Sequence, residues 1–266
     1  MKHLTWLFSL LMLAAGFLAA ETVRLAPGEN SVTVVSSNAT ETVLKFTVSH
    51  FDKTPVQIGS GTWHHVWLPR EGITQERGEP RLPVFNRSLI IPDRGLMRLQ
   101  LLDVEYQDLA LAVAPSKGVI TRDQDPDSIP YSFGPAYKED AFFPERLAGL
   151  SDPYILRDFR GQTVQTVPFA YNPVSKTLRV FTSYTIRIYS DGLDNRNAYS
   201  GQRGTVSRAF APVYENHFVN WQQYRYTPVS DSYGKLLVVC HTNYLTAIQP
   251  YVNWKKQKGI ETDLVE

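Results

Sequence analysis

The sequence predicts a mainly β protein: a two-sheet, β-sandwich-like region followed by the truncated β-α-β start of an α/β domain. Two observations support this prediction. From Thr22 to about Ile188, short apolar or alternating segments are separated by Pro, Gly, Asn and Asp, a pattern typical of packed antiparallel sheets. After Tyr226 an apolar run, an amphipathic segment and a second alternating run follow, which indicates a strand, a helix and a parallel strand.

Residues 1–20 have the pattern of a secretory signal peptide. Lys2 and His3 precede an apolar run from Leu4 to Leu18, and small residues end the segment. Because this run is short for a bilayer span, we expect cleavage between Ala20 and Glu21 rather than an uncleaved anchor. The mature chain is then expected to be secreted, extracellular or at the cell surface, without a membrane partner.

Five segments of the central region are predicted strands because apolar and polar residues alternate in them or β-branched and aromatic residues dominate. They are Ser31 to Val35, Thr42 to Val48, Trp63 to Leu68, Met97 to Val104 and Leu178 to Tyr189. Asp191 to Arg208 is rich in Asn, Gly, Ser and Arg, which predicts an exposed linker. A short helix, Val213 to Gln223, is predicted to follow it.

The C-terminal segment is predicted to begin a second domain. The apolar run Leu236 to Cys240 predicts a buried parallel strand. Leu245 begins a helical spacing of apolar residues, with Pro250 expected in the first turn and Gly259 expected as the end cap. Alternation from Ile260 to Leu264 predicts the second strand. Since one β-α-β unit cannot bury both faces of its sheet, we expect an incomplete domain.

Composition argues against several classes of protein. The formal net charge is +1, and no basic stripe with interleaved aromatic residues is present, so nucleic acid is not expected as a partner. Cys240 is the one cysteine of the sequence, which excludes an intramolecular disulfide scaffold. No cofactor is expected.

An acidic loop offers the nearest approach to a metal motif. Asp123, Asp125 and Asp127 have the spacing of the first half of a calcium loop. Ser128 and Gly134 occupy the positions where that motif needs glycine and glutamate. We therefore expect a solvated acidic loop and no metal site.

Four motifs carry a resemblance to a known family. They are Gly78-Glu79-Pro80-Arg81-Leu82-Pro83 with Leu89 to Pro92, Pro168 to Pro173 with Thr177 to Phe181, Arg225-Tyr226-Thr227-Pro228-Val229, and Trp254 to Thr262. Together they resemble the precursors of gingipain-type cysteine peptidases, secreted enzymes typical of the Bacteroidota. The first two are similar to the family's N-terminal propeptide, the third to its junction with the enzyme, and the fourth to the start of the caspase-like catalytic domain.

The resemblance implies a domain order and a function. It implies a signal peptide at 1–20, an all-β propeptide at 21–225 and the incomplete catalytic domain at 226–266. The propeptide would assist folding, keep the peptidase latent, and be removed by cleavage between Arg225 and Tyr226. Its partner would be its own downstream catalytic domain, which would attack peptide carbonyls of protein substrates with a cysteine thiolate assisted by histidine.

No catalytic residue is carried over to this chain. In the family, the catalytic histidine and cysteine belong to later strands, so this chain alone is expected to be inactive. Cys240-His241 looks like a thiol beside its base, but neighbours on a strand point to opposite faces. We expect Cys240 to be a small buried hydrophobic residue.

Arg122 is the candidate inhibitory contact. It lies in the segment Lys117 to Gly134, which proline stiffens and apolar residues flank. A propeptide that inhibits must place a rigid segment across the cleft, where a guanidinium could fill an acidic pocket. The alternative is a surface arginine paired with Asp123 or Asp125.

The competing class of function is an exported adhesion or glycan-binding module. Trp63 and Trp67 could line a sugar-binding surface, although evenly spaced aromatic residues on a strand usually belong to a core. The reading frame distinguishes the two classes. The rest of an α/β domain downstream would support the peptidase precursor, and further sandwich repeats would support adhesion.

Overall fold

The structure, a computed structural model, describes residues 20–201, 206, 209–224 and 234–266. The predicted signal peptide up to residue 19 and the predicted junction Arg225-Tyr226 lie outside the described residues. Within the described ranges, no helix has the length and apolar content needed to cross a membrane.

The described residues form fifteen strands and two α-helices. The first eight strands are β1 (Glu21–Arg24), β2 (Ser31–Ser37), β3 (Glu41–Thr47), β4 (His50–Ile58), β5 (Gly61–Trp67), β6 (Gly72–Ile73), β7 (Pro83–Ile90) and β8 (Gly95–Ala110). The others are β9 (Ala148–Leu150), β10 (Tyr154–Leu156), β11 (Phe159–Thr166), β12 (Phe169–Asn172), β13 (Thr177–Leu193), β14 (Lys235–Val239) and β15 (Glu261–Val265). The α-helices are α1 (Ala211–His217) and α2 (Leu245–Gln257).

Strands β1 to β13 are divided among three antiparallel sheets in the described part of the chain. Their orders are β1-β4-β5, then β10-β11-β7-β6 with β9 also beside β11, and β12-β13-β3-β2 with β8 also beside β13. The prediction of a mainly β protein is confirmed, with three sheets where two were expected. The hairpin of β4 and β5 accounts for the extra sheet, because its remaining partner is the short N-terminal strand β1.

Strand β13 organises the largest of these sheets. It pairs with β8 along one edge and with β12 and then β3 along the other. Leu178, Val180, Tyr184, Ile186 and Ile188 along it are buried, so one face of the strand is apolar. This period of two is the signal that predicted the strand from the sequence.

The main core joins side chains from all three antiparallel sheets. Leu44 of β3, Val66 of β5 and Phe85 of β7 are fully enclosed in it. Phe46 stacks on Tyr184 with the ring centroids 4.9 Å apart. Burying one such side chain contributes roughly 1.5–3 kcal/mol, so this shared core holds the sheets together.

The five predicted strands are confirmed as β2, β3, β5, β8 and β13, with shifted ends. Strand β11 was not predicted because its sequence is rich in polar residues. Arg160, Gln162 and Thr166 of β11 are nevertheless buried. Other segments provide hydrogen-bond partners for each of them, as when Tyr184 and Thr166 share a hydrogen bond of 2.7 Å between their hydroxyls, although Gln162 Oε1 stays without a partner.

The predicted helix Val213 to Gln223 is wrong in its extent. Helix α1 ends at His217, and a separate 3₁₀ turn covers Trp221–Gln223. The helix stops because the backbone N–H of Val219 donates to the carbonyl of Ser88 at 3.0 Å. Pairing with β7 therefore replaces the next helical turn.

The predicted β-α-β unit is confirmed, with β14 and β15 parallel and helix α2 between them. The placement of Pro250 is wrong, since the helix begins at Leu245 and the proline lies inside it. Gly259 follows the helix with φ +78°, as expected for an end cap. Leu237 and Val239 of β14 are 59% and 70% exposed, so one face of this small sheet carries uncovered apolar side chains.

Candidate functional site

The candidate site is the loop 117–134 and the residues at its base. The loop leaves the body at Lys117 and Gly118, where Gly118 has φ +86° and passes close to Arg77. Residues 121–128 are exposed. Internal hydrogen bonds give the loop a defined shape, since the Lys117 Nζ donates to the carbonyl of Pro126 at 2.8 Å.

Arg122 lies on the exposed part of this loop. Among the described residues it has no ion pair, hydrogen bond or ring contact. The expected alternative, pairing with an aspartate, is not observed. The Asp125 carboxylate instead accepts a hydrogen bond from the Asp127 N–H at 3.0 Å, and a hydrogen bond from Thr121 lowers the pKa of Asp123. The guanidinium is therefore available to a partner.

The three aspartates of the loop do not converge on one point. Asp125 begins a 3₁₀ turn at Pro126–Ser128, which is a capping role. Over the described ranges, no group of three or more His, Cys, Asp or Glu side chains has the arrangement that could hold a metal ion.

His65 of β5 and Tyr131 connect the loop to the body. The Tyr131 hydroxyl and His65 Nε2 lie 2.9 Å apart, and the Lys117 ammonium lies 4.5 Å from the centre of the Tyr131 ring. Burial, with the charges of Arg81 and Lys117, lowers the pKa of His65 to about 4. The imidazole is therefore neutral at pH 7, and one hydrogen bond joins its Nε2 atom to the tyrosine hydroxyl.

Arg81 lies beside this pair as a partly buried cation. Its backbone N–H donates to the carbonyl of Ala114 at 3.1 Å, which fixes the main chain. Its Nη1 atom is enclosed without a hydrogen-bond partner, and burial lowers the pKa of the guanidinium. In the described part of the chain, no carboxylate pairs with it.

The proline-rich motif that contains Arg81 closes the far end of the loop. The Gly134 N–H donates to the Gly78 carbonyl at 2.8 Å, and the buried Glu79 carboxylate accepts from the Ala136 N–H at 3.3 Å. Gly78 has φ +88°, and a side chain there would press on the backbone of Gly134. The motif therefore fixes the base of the loop through its backbone and the Glu79 side chain.

Trp63 braces the same end of the loop. Its ring centre lies 4.9 Å from that of Phe133 and 5.9 Å from that of Tyr137. Trp63 and Trp67 are both partly buried. With its ring beside those of Phe133 and Tyr137, Trp63 packs as a core aromatic residue rather than as an open surface for a sugar ring.

Cys240 and His241 do not form a thiol–imidazole pair. The Cys240 Sγ lies 3.6 Å from the carbonyl of His241, and His241 Nδ1 accepts from the Asn243 N–H at 3.2 Å. The imidazole thus caps the turn before α2. Cys240 is partly buried rather than buried as expected.

The segment predicted as an exposed linker is partly structured. Asp191 to Leu193 belong to β13, and the next residues bind the side chain of Arg160. The Arg160 guanidinium donates to the carbonyls of Arg196 and Asn197 at 2.9 and 3.1 Å. A buried arginine needs acceptors, and the backbone of this segment supplies two of them, which composition alone could not reveal.

The residues that anchor the chain before the predicted junction were not predicted from the sequence. Asn220 is fully buried, and its side chain accepts from the Ile90 N–H at 2.9 Å and donates to the Ile90 carbonyl at 3.0 Å. Tyr224 donates to that carbonyl at 3.4 Å, and Trp221 packs on Phe159 with ring centres 5.5 Å apart. The described chain is therefore attached to β7 up to the residue before Arg225.

Comparison with known proteins shows which family this chain belongs to. The family model Propeptide_C25 matches residues 24–227. Gingipain R2 of Porphyromonas gingivalis is 35% identical over 236 residues, 88% of this chain and 32% of that protein. Gingipain R1 of the same organism is 34% identical over 270 residues, 99% of this chain and 27% of that protein. The chain thus spans about a third or less of the length of these relatives.

Two solved structures share the fold. A chain from the complex of the pro- and mature domains of P. gingivalis RgpB is 34% identical, with a TM-score of 0.67 over 73% of this chain and 99% of that one. A chain from a study of zymogenic latency in P. gingivalis gingipain K is 18% identical with a TM-score of 0.58, a likeness of fold alone. The match of the family model over most of the chain and the identity to gingipains R1 and R2 lead to one conclusion: the chain belongs to the Propeptide_C25 family and carries a gingipain-type propeptide.

Proposed function

We propose that this chain is the N-terminal part of a secreted cysteine endopeptidase precursor. Its propeptide keeps the peptidase domain latent, assists its folding and is removed by cleavage between Arg225 and Tyr226. The signal peptide ends at Ala20, and residues 226–266 begin the caspase-like catalytic domain. The relationship to gingipains R1 and R2 supports this proposal, as does the β-α-β unit that follows the predicted junction.

The observation that carries the proposal is the presentation of Arg122. The exposed part of the loop holds this arginine without an internal partner, and both ends of the loop are bonded to the body. A guanidinium binds a carboxylate through two parallel hydrogen bonds, so it suits an acidic specificity pocket. If the mature enzyme cleaves after Arg225, its pocket accepts arginine, and Arg122 could occupy the same pocket.

The proposal is tested by inhibition of the mature peptidase released from the full-length precursor. The chain without its signal peptide is titrated against that enzyme as wild type, as Arg122→Ala and as Arg146→Ala. Arg146 is a matched control because it is also exposed in a loop. Truncating a paired, buried arginine costs about 2–5 kcal/mol, so Arg122→Ala should weaken inhibition at least about tenfold.

The same preparation tests the cleavage site. N-terminal sequencing of the mature enzyme should begin at Tyr226, whereas a start after Arg203 or Arg208 would move the boundary.

The inhibition assay has two outcomes that contradict the proposal. An equal inhibition constant for wild type and Arg122→Ala would make Arg122 an ordinary surface arginine. Absence of inhibition by the wild-type chain would contradict latency itself.

A further inference from the structure

Arg81 differs from the other enclosed arginines of the described chain. Arg87 forms two hydrogen bonds with Glu71 at 2.6 and 3.0 Å, and Arg179 forms two with Asp108 at 2.8 Å each. For Arg81, by contrast, no described residue provides an acceptor to any of its side-chain nitrogens. Its Nη1 is enclosed, while its Nε and Nη2 remain in reach of the surface.

The surroundings of Arg81 increase the positive charge rather than offset it. Lys117 is close enough to act electrostatically on the same histidine, and it too has no carboxylate partner in the described ranges. A surface depression of about 310 Å³ lies beside Lys117 and is also lined by Arg77. Besides burial, the charge of Asp127 raises the pKa of Tyr131, but Asp127 forms no ion pair with Arg81.

An unpaired cation in this position is unfavourable in the free chain. Burial removes water from the guanidinium, and no internal acceptor replaces the hydrogen bonds that water would have made. Groups that cost stability in one state of a protein are commonly those that act when a partner is bound.

We propose that Arg81 and Lys117 form a carboxylate-binding site on the propeptide, and that its ligand is an acidic side chain of the peptidase domain which the loop 117–134 inhibits. This rests on the proposed function. The site lies at the base of the loop that presents Arg122, so a domain that covers the loop also reaches the base. A carboxylate there binds the guanidinium through its Nε and Nη2 atoms and offsets part of the positive charge of the two side chains.

The arrangement also explains the neutral histidine. His65 holds Tyr131 by a hydrogen bond without adding a third charge, because its pKa lies well below 7. Tyr131 in turn carries the Lys117 ammonium over its ring. The cluster therefore holds the Lys117 ammonium in a fixed position, and a fixed donor loses less entropy when a carboxylate binds.

The test measures inhibition and thermal unfolding on the same variants. Arg81→Met should weaken inhibition of the mature peptidase at least tenfold and leave the Tm of the free chain equal or higher. It should also flatten the dependence of the inhibition constant on salt, since a charge contact is lost. Arg87→Met is the matched control: it breaks an internal pair with Glu71, so it should lower the Tm and leave inhibition unchanged.

The outcomes separate this inference from the proposed function. If the wild-type chain does not inhibit, the proposed function fails. If the wild type inhibits and Arg81→Met inhibits equally well, Arg81 is not a docking residue and the inference is overturned. If Arg81→Met lowers the Tm, Lys117→Met decides: weaker inhibition with a flatter salt dependence at unchanged Tm supports the site, and unchanged inhibition overturns it.

Discussion

Two arginines enclosed by the same fold have opposite surroundings. Arg160 of β11 is fully buried and donates to the carbonyls of Pro92, Gly95, Arg196 and Asn197, and its Nη2 lies 3.3 Å from the Asp194 carboxylate. A guanidinium has five N–H donors, so its hydrogen-bonding capacity is met inside the chain. Arg81, at the base of the loop 117–134, has no acceptor among the described residues.

The difference shows that burial does not by itself tell what an arginine does. Arg160 joins the turn after β7, strand β11 and the segment after β13, which makes it a structural anchor. Arg81 contributes no such connection through its side chain, although its backbone is fixed. The satisfied arginine belongs to a region that must be rigid, and the unsatisfied one belongs to a region that we propose meets another domain.

The largest expected effect on stability comes from replacing Arg160, the arginine whose donors all find acceptors inside the chain. Arg160→Met should lower the free energy of unfolding by about 3–5 kcal/mol, because it removes a buried donor from four backbone carbonyls and one of the two arginines that pair with Asp194. Urea unfolding of the chain measures the loss. Arg98→Met is the control, since Arg98 and its partner Asp191 are both largely exposed; its loss should stay within about 1 kcal/mol. A similar small loss for Arg160→Met would contradict the anchor role.

A second test concerns the anchor before the predicted junction. Asn220→Ala removes the amide that bonds both backbone groups of Ile90, so the Ile90 N–H loses its acceptor and the carbonyl keeps only the 3.4 Å bond from Tyr224. The expected loss is about 1–3 kcal/mol in the same unfolding assay. Asn216→Ala is the control because Asn216 is exposed and bonds the carbonyl of Pro212 in its own helix. Equal stability of the two variants would mean that Asn220 is not an anchor.

A third test concerns the pH dependence of the loop base. His65 has a pKa of about 4 in the folded chain and 6.5 as its ordinary value. Between these values the unfolded chain binds a proton that the folded chain does not, so stability should fall as the pH drops from 6.5 towards 4.

Unfolding midpoints at pH 7 and pH 4.5 measure this effect in wild type and in His65→Gln. Glutamine can still bond Tyr131 but does not titrate, so the variant should lose less stability on acidification. An equal loss in both proteins would show that His65 does not contribute to the acid sensitivity.

Local pattern was enough to predict much of the fold. The alternation in Leu178 to Tyr189 predicted β13, and the apolar run followed by helical spacing predicted the β-α-β unit. The first two gingipain-like motifs were recognised from contiguous residues and lie within residues 24–227, which the family model matches. Arg122 was selected from its loop alone, and its role in inhibition remains a prediction.

What the sequence determined by itself is therefore the set of features that depend on neighbouring residues: strand periodicity, turn chemistry and family motifs. What only the tertiary structure decided is which polar side chains find partners. Arg160 donates to carbonyls in the turn at Pro92 and in the segment at Arg196. Asn220 bonds Ile90, which lies 130 positions earlier in the chain. Arg81 meets none in the described chain. Hydrogen bonding between distant segments depends on how sheets pack, because the energy of a buried donor is set by what surrounds it and not by its neighbours in sequence.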